Sequence, residues 1–238
     1  MKTLSEYKVE IRNIFLELSQ ERELSSIDFD GKLFLIYPQV FSPKIFSEGH
    51  WFGTELSKLV GKGTLLEVGT GTGIIACICA RNGSTVEVTD INPLAVENAK
   101  VNFGNLGFSI PAYQGDVFSG IPSGKAYDAL FWNHPFHRGE SEEAEILLQS
   151  IFDFEYRALE RYIAGSNSLL SPSGRLFLGT ATMAEIPYIE ELAKRYGRTA
   201  VEIARSNCDM TCNDFDLTCL ILELKREYGG YNNSTKKD

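Results

Sequence analysis

The feature that most constrains the fold is a glycine-rich segment at residues 65–76, Leu-Leu-Glu-Val-Gly-Thr-Gly-Thr-Gly-Ile-Ile-Ala. Three of its first four residues are apolar, as in a buried strand. Gly69, Gly71 and Gly73 follow, and their lack of side chains lets the backbone approach a ligand closely. A helix that begins near Ile74 directs its free N–H groups at the same ligand. The segment therefore predicts a strand, turn and helix that cradle a nucleotide-like cofactor.

The rest of the chain alternates strand and helix patterns, which predicts an α/β fold with a Rossmann-like, doubly wound sheet. No helix-length segment separates the last two predicted strands, so we expect them to pair antiparallel and complete a seven-stranded sheet with an antiparallel last strand. The predicted strands are 64–68, 85–89, 110–114, 127–132, 175–181, 199–204 and 217–224. The predicted helices are 73–82, 93–105, 146–166 and 184–195.

The first quarter of the chain predicts a small cap made of a helix and a hairpin. Apolar residues three and four positions apart indicate an amphipathic helix within residues 1–23. Asp30-Gly31 between two apolar runs indicates a hairpin turn, and a short helix is expected at 54–60. Residues 41–52 either pack on the core or fold over the cofactor cleft. The expected division is a cap at 1–60, a cofactor-binding core at 61–226 and a flexible tail at 227–238.

Composition narrows the functional classes. The formal net charge of −9 disfavours a broad nucleic-acid-binding surface, although a small basic patch remains compatible with it. No apolar run approaches the roughly 20 residues of a membrane span, and the N-terminus is polar, so a membrane or secreted protein is not expected. Five cysteines, mostly in apolar segments, predict reduced thiols and a cytoplasmic protein. Cys208 and Cys212 lack a second cysteine pair, so no metal site is predicted.

Two cofactor classes fit the glycine turn. Residues 71–76 match the Gly-x-Gly-x-x-Gly/Ala dinucleotide pattern, and Asp90 would then bind a ribose, as in an NAD-dependent oxidoreductase. Glu67 argues against this, because an acid two positions before the first glycine would repel a pyrophosphate. The same acid suits a cationic amino-acid group. The antiparallel end of the sheet and the polar turn at 133–136 also favour a cofactor that carries such an amino-acid group over a dinucleotide.

Four sequence motifs resemble those of one enzyme family whose cofactor carries an amino-acid group. Residues 67–73 resemble the first motif of class I S-adenosylmethionine-dependent methyltransferases, and Asp90 heads a segment that resembles their second, ribose-binding motif. Residues 115–118 resemble the third motif, which lies beside the adenine. Asn-His-Pro-Phe at 133–136 resembles the Asn-Pro-Pro-Tyr/Phe motif of the branch that methylates nitrogen on planar groups. That branch includes release-factor glutamine and adenine N6-methyltransferases. The resemblance covers residues 64–224.

This resemblance implies S-adenosylmethionine as the cofactor and methylation of a nitrogen in a small molecule or a protein amide. The asparagine side chain and a backbone carbonyl of the motif accept hydrogen bonds from the –NH2 group, and the aromatic residue packs on the planar substrate. The implied catalytic residues are Asn133, His134, Pro135 and Phe136. The implied cofactor contacts are Glu67, Gly69, Thr70, Gly71, Gly73, Asp90, Ile91, Asn92, Asp116, Val117 and Asn133.

His134 departs from the family pattern, because it stands where the motif has its first proline. It is either a turn residue or a substrate contact and general base with a pKa near neutrality, which keeps an O- or S-methyltransferase open. His137 is an alternative base, and with Trp51 and Phe52 it forms the predicted set of substrate contacts. The acidic stretch 140–145 is either a solvated loop or a lid that selects an amine-bearing substrate.

Overall fold

A computed structural model of the chain describes residues 4–139, 142–143, 145–206, 210–212 and 215–227. Predictions for residues 1–3, for residues 140, 141 and 144 of the acidic stretch, for Cys208 and for 228–238 lie outside these residues. The elements, in chain order, are α1 (Leu4–Gln20), β1 (Ser25–Phe29), β2 (Lys32–Ile36), α2 (Glu48–Val60), β3 (Thr64–Val68), α3 (Ile74–Arg81), β4 (Thr85–Asp90), α4 (Pro93–Leu106), β5 (Ala112–Gln114), β6 (Tyr127–Asn133), β7 (His137–Gly139), β8 (Phe152–Phe154), α5 (Arg157–Gly165), β9 (Leu170–Ala181), α6 (Ile186–Arg195), β10 (Arg198–Arg205), β11 (Met210–Cys212), β12 (Phe215–Leu217) and β13 (Cys219–Arg226).

A seven-stranded sheet in the order β10-β13-β9-β6-β3-β4-β5 forms the centre of the fold. Strand β13 runs antiparallel to both of its neighbours, β9 and β10, while the pairs from β9 to β5 are parallel. The predicted α/β fold class is therefore confirmed. In such a sheet the carboxyl ends of the parallel strands share one edge, and ligands bind there. Strands β3, β4 and β6 bring the glycine turn, Asp90 and the turn at 133–136 to that edge.

Helix α2 begins at Glu48, earlier than the predicted start at 54. Two glycines in its first half obscure the helix pattern, because glycine has a low helix propensity. A Cβ atom on Gly53 would lie 2.8 Å from Ile78 Cδ1 and 3.3 Å from Ile75 Cα. Helix α2 therefore needs glycine where it packs on α3, and close packing outweighs local propensity.

The predicted long helix at 146–166 is wrong. The chain there forms a 3-10 turn (Leu148–Ser150), strand β8, helix α5 and a second 3-10 turn (Ser166–Ser168). Two consecutive residues with positive φ, Glu155 at 51° and Tyr156 at 55°, break the helix. The Asp153 carboxylate accepts hydrogen bonds from the amides of Ala158 and Leu159 at 3.0 and 2.9 Å, so it caps the start of α5.

The N-terminal helix α1 packs across the carboxyl edge of the sheet. Its buried residues Tyr7, Ile11 and Phe15 share an apolar cluster with Phe46 and with the segment 147–152. Arg12 donates two hydrogen bonds to Glu143, with Nη2 2.7 Å from Oε2, and so fastens α1 to the chain after β7. None of the described helices is long and apolar enough to span a bilayer.

Candidate functional site

The carboxyl edge of the sheet holds a cleft with two adjoining cavities. The inner cavity, of about 150 Å³, lies between the turn at 133–136, helix α1 and residues 146–151. The outer cavity, of about 430 Å³, extends over the end of β5 towards α5. Residues from the ends of three neighbouring strands join the two cavities into one cleft, and the shared lining is Gly69, Asp90, Ile91, Trp132, Pro135 and Gln149.

The turn after β3 requires its glycines. A Cβ atom on Gly69, whose φ is +66°, would lie 2.7 Å from Trp132 Nε1. One on Gly73, whose φ is +86°, would lie 2.6 Å from Phe103 Cε1. Of the turn residues implied as cofactor contacts, Gly69 lines the cleft, whereas Thr70, Gly71 and Gly73 shape the turn behind it.

Glu67 lies beneath the glycine turn and does not line either cavity. Its carboxyl Oε2 accepts a hydrogen bond from Thr70 Oγ1 at 3.1 Å. Burial raises the pKa of Glu67 to about 8, and the backbone amide of Ala76 and the Thr70 hydroxyl counteract part of that rise. Its contacts with Thr70 and with the backbone amide of Ala76 in α3 support the turn from beneath.

Asp90, at the end of β4, lines both cavities. Its Oδ2 accepts the amide N–H of Gly71 at 2.8 Å, and its Oδ1 accepts that of Asn92 at 2.8 Å. Burial raises the pKa of Asp90 to about 6, although these amides oppose the rise. The side chain of Asn92 caps α4 through the amide of Leu94 at 3.0 Å. Because a carboxylate has about four acceptor positions, Asp90 retains capacity for a ribose hydroxyl group beside these amides and that of Ile91.

The remaining implied cofactor contacts divide between the two cavities. Asp116 and Val117 line the outer cavity, where Arg161 donates a hydrogen bond to Asp116 at 3.1 Å. Asn92 and Asn133 line the inner cavity. Ile91 lines both cavities and is 44% exposed, which leaves an apolar surface for a flat ring.

The turn at 133–136 forms the floor of the inner cavity, and all four of its residues line it. Asn133 Oδ1 is buried and has no hydrogen-bond partner within the described residues. The backbone amide of His134 donates to Gly179 at 3.3 Å, and the Tyr156 hydroxyl donates to the carbonyl of Phe136 at 2.6 Å. The turn is thus held at both ends while its asparagine oxygen is left available.

His134 is buried, and its Nε2 lies 3.0 Å from the Thr180 hydroxyl. Burial, with a smaller contribution from His137, lowers the pKa of His134 to about 3. The expectation of a pKa near neutrality is therefore wrong, because the desolvated pocket disfavours the imidazolium. Burial likewise lowers the pKa of His137 to about 4, and its ring packs 5.5 Å from that of Tyr7. Both imidazoles are neutral at neutral pH and line the inner cavity.

The aromatic residues predicted to cover the substrate lie elsewhere. Phe52 lies on the buried face of α2, with its ring 5.9 Å from that of Phe131. Trp51 packs beside it against the same core cluster. Neither lines the cleft, because helix α2 turns this face towards the sheet. Phe41, Phe46 and Glu48 line the inner cavity, and they belong to the segment 41–52 that was expected either to pack on the core or to fold over the cleft. The lining that the sequence did not reveal includes Tyr7 and Ile11 of α1, Gln39, and Gln149 and Ile151 before β8.

Metal ligands are not assembled in the described part of the chain, which contains no group of three His, Cys, Asp or Glu side chains that could hold an ion. The cleft does fit S-adenosylmethionine. Asp90 offers a carboxylate to ribose hydroxyls, Ile91 and Val117 offer apolar surface to a purine, and the glycine turn keeps Gly69 free of a side chain.

Comparison with known proteins agrees with this fit. The family model of the methyltransferase small domain matches residues 33–208. The chain belongs to the methyltransferase small domain family. Its cofactor is S-adenosylmethionine. The NAD-dependent oxidoreductase alternative finds no support in this family match.

The relatives of this chain carry names that give different substrates. The chain is 29% identical over 195 residues to ribosomal RNA small subunit methyltransferase C of Chromohalobacter salexigens, covering 80% of this chain and 54% of that protein. It is 33% identical over 132 residues to release factor glutamine methyltransferase of Koribacter versatilis, covering 54% of this chain and 46% of that protein. The chain thus spans about half the length of these curated relatives.

A solved structure confirms the fold of this family member. The 16S rRNA N2 G1207 methyltransferase of T. thermophilus, in complex with AdoMet and guanosine, superimposes with a TM-score of 0.61 at 17% identity. The match covers 86% of this chain and 50% of that one.

Proposed function

We propose that the protein is an S-adenosylmethionine-dependent N-methyltransferase that acts on a nitrogen of a small molecule or of a protein amide. The observation that carries this proposal is the buried, unpartnered Oδ1 of Asn133 in the inner cavity, next to the Asp90 end of the cleft. A buried acceptor oxygen without a partner calls for a donor, and an N–H group of the methyl acceptor supplies one.

The chemistry needs positioning more than acid–base catalysis. The cofactor supplies a methyl group that its sulfonium already activates. Asn133 Oδ1 and the backbone carbonyl of His134 accept hydrogen bonds from the –NH2 group, which directs the nitrogen lone pair towards that methyl group. Phe136 packs on the planar acceptor, and the Tyr156 hydrogen bond to its carbonyl keeps the turn in place.

The state of His134 favours nitrogen over oxygen or sulfur as the acceptor atom. An O- or S-methyltransferase needs a base to remove a proton from a hydroxyl or a thiol, and the best bases titrate near the working pH. With a pKa of about 3, His134 is a weak base. An amine or amide nitrogen that is aligned by acceptors keeps its protons until the methyl group has been transferred. The methylated nitrogen then releases one proton to water, so the reaction makes less demand on a base.

The enclosure of the inner cavity supports an acceptor that enters as a small group. Tyr7 and Ile11 of α1 cover it on one side, and Leu147 and Ile151 cover it on another. The Arg12–Glu143 ion pair joins α1 to the chain four residues before Leu147. A single side-chain amide or a small heterocycle fits such a site.

A second candidate is methylation of an RNA base nitrogen, which the relative named as a ribosomal RNA methyltransferase favours. A flipped base presents the same planar –NH2 group. The formal net charge of −9 opposes this candidate, because RNA binding needs cations at the phosphates.

The two candidates separate in one assay. The full chain is incubated with methyl-labelled S-adenosylmethionine and, separately, with the small-molecule, protein and RNA fractions of a cell extract. We expect label on nitrogen in the small-molecule or protein fraction, and a heat-denatured enzyme serves as the control. Label confined to RNA would favour the second candidate, and no transfer to any fraction would contradict the proposed activity.

A further inference from the structure

Glu48 is a buried acid in the inner cavity to which the proposed reaction gives no role. It is the first residue of α2, it is 4% exposed, and it lines the cavity together with Asn133. Its neighbour Gly49 is packed so closely that a Cβ atom there would lie 2.9 Å from Ile74 Cγ2. The helix start is therefore fixed against α3, and the Glu48 side chain is held in the cavity wall.

This carboxylate lacks a cationic or side-chain partner in the part of the chain that the structure describes. Its own backbone amide is the donor that reaches it, and burial raises its pKa to about 7. Buried carboxylates in proteins are normally paired, because the loss of hydration is otherwise uncompensated. A buried acid in a cleft with no opposite charge beside it among the described residues is typical of a group that meets a ligand.

The groups around Glu48 limit what that ligand is. Phe41, Phe46 and Phe136 give the cavity apolar, aromatic walls, and the neutral His134 and His137 add no charge. The thiol of Cys219 lies close enough to Glu48 for the acid to raise its pKa. Asp90 contributes a second acid at the cofactor end. The cavity therefore combines flat apolar surfaces with acceptor oxygens and contains no cation of its own among its described lining residues.

We propose that Glu48 is the specificity-determining residue for the methyl acceptor, and that it selects a small planar compound carrying a cationic N–H group, such as an amidine, guanidine or ammonium, beside the nitrogen aligned by Asn133. This inference rests on the proposed function, since it assigns the substrate class of the same site. The cationic group pairs with the Glu48 carboxylate in a desolvated cavity, where charge-assisted hydrogen bonds are strongest. A neutral or anionic analogue of equal shape leaves that carboxylate unpaired.

The test uses three probes of one shape: 4-aminobenzamidine, 4-aminobenzamide and 4-aminobenzoate, which are cationic, neutral and anionic. Their binding to the full chain is measured by isothermal titration in the presence of saturating S-adenosylhomocysteine. We expect the cation to bind 10- to 100-fold more tightly than the neutral amide, as about 1.5–3 kcal/mol for a charge-assisted hydrogen bond implies. The anion should bind most weakly.

Variants separate the charge of Glu48 from its shape. In Glu48→Gln the cation preference should fall to within threefold, while the affinity for S-adenosylhomocysteine stays within twofold of wild type. Glu55→Gln, an acid on the same helix that pairs with Lys58 at the surface, is the matched control and should retain the full preference.

Each other result counts against the inference in a defined way. A wild-type protein that binds the cation no better than the amide overturns it, and so does a preference that survives in Glu48→Gln. A tenfold loss of S-adenosylhomocysteine affinity in Glu48→Gln would assign the acid to the cofactor's ammonium group instead. Failure of the wild-type chain to bind S-adenosylhomocysteine at all would contradict the proposed function itself, which is a separate outcome.

Discussion

The carboxylate of Asp90 accepts the backbone N–H of Gly71, with 2.8 Å between Oδ2 and N. This bond joins the end of β4 to the glycine turn after β3, so the two parts of the cofactor site are held in one arrangement. A second bond, from the amide of Asn92, fixes the other carboxylate oxygen at the start of α4.

Replacement of Asp90 should therefore weaken cofactor binding. In Asp90→Asn the amide nitrogen has hydrogens where one of the backbone amides needs an acceptor, and the charge that accepts ribose hydroxyls is lost. We expect the Kd for S-adenosylhomocysteine to rise 10- to 100-fold, measured by isothermal titration. Asp128→Asn is the control, because Asp128 binds Thr64 at the opposite end of β3, and its Kd should match wild type. An unchanged Kd in Asp90→Asn would remove this residue from the cofactor site.

The depressed pKa of His134 predicts that this imidazole adds no step to the pH dependence of kcat. Because burial lowers its pKa to about 3, the imidazole stays neutral between pH 5 and 8.5 and contributes no inflection to kcat in that range. His134→Gln should lower kcat by a similar factor at every pH, through loss of the turn geometry and of the Thr180 contact. A wild-type inflection near pH 6.5 that disappears in His134→Gln would show a titrating base and refute this account.

Glu67 should make stability depend on pH with a defined sign. Its pKa is raised from the model-peptide range to about 8 in the folded protein, so the native state holds a proton that the unfolded chain releases at about pH 4.3. The stabilisation is complete below the unfolded pKa and is lost as the pH rises through the folded value. Between pH 5 and 8.5 the wild type should lose of order 3 kcal/mol of unfolding free energy relative to Glu67→Gln. Urea denaturation at a series of pH values measures this difference, and parallel curves for the two proteins would contradict it.

Phe52 should affect stability and leave the cleft unchanged. The side chain is fully buried, so Phe52→Ala should lower the unfolding free energy by about 3–5 kcal/mol. This is a large share of a typical domain's stability. Phe52→Leu is the milder variant and should lower the unfolding free energy by a smaller amount. In both variants, assayed below their unfolding transitions, the Kd for S-adenosylhomocysteine should stay within twofold of wild type. A higher acceptor KM in a stable Phe52→Leu protein would instead support a substrate contact.

The predictable part of the fold is the part with strong local signals. Strand β3 falls at the predicted residues, the turn at Asp30-Gly31 joins β1 to β2, and Asn92-Pro93 opens α4 as an N-cap followed by proline. Each of these signals acts within a few residues of the chain. The motifs at strand ends were predictable for the same reason, because a parallel sheet brings its carboxyl ends together.

The errors arise where distant contacts decide the structure. The segment 146–166 has apolar residues at helical spacing, but part of it forms β8, which pairs with β7. Helix α5 begins only after two residues with positive φ, where the Asp153 carboxylate accepts an amide of its first turn. Helix α2 includes Gly49 and Gly53 because α3 lies against them. The lining of the inner cavity from α1, including Tyr7 and Ile11, depends on how the N-terminal segment packs over the sheet, which no local pattern reports.

The central claim is that Asn133 aligns a nitrogen for methyl transfer from the bound cofactor. The most direct measurement is the methyl-transfer rate of Asn133→Ala at saturating S-adenosylmethionine, with the fraction that accepts label from the wild type, alongside its Kd for S-adenosylhomocysteine. Loss of a positioning hydrogen bond in a desolvated site should lower the rate about 100-fold or more, while the Kd changes less than threefold. A variant that transfers methyl groups at the wild-type rate would contradict the account.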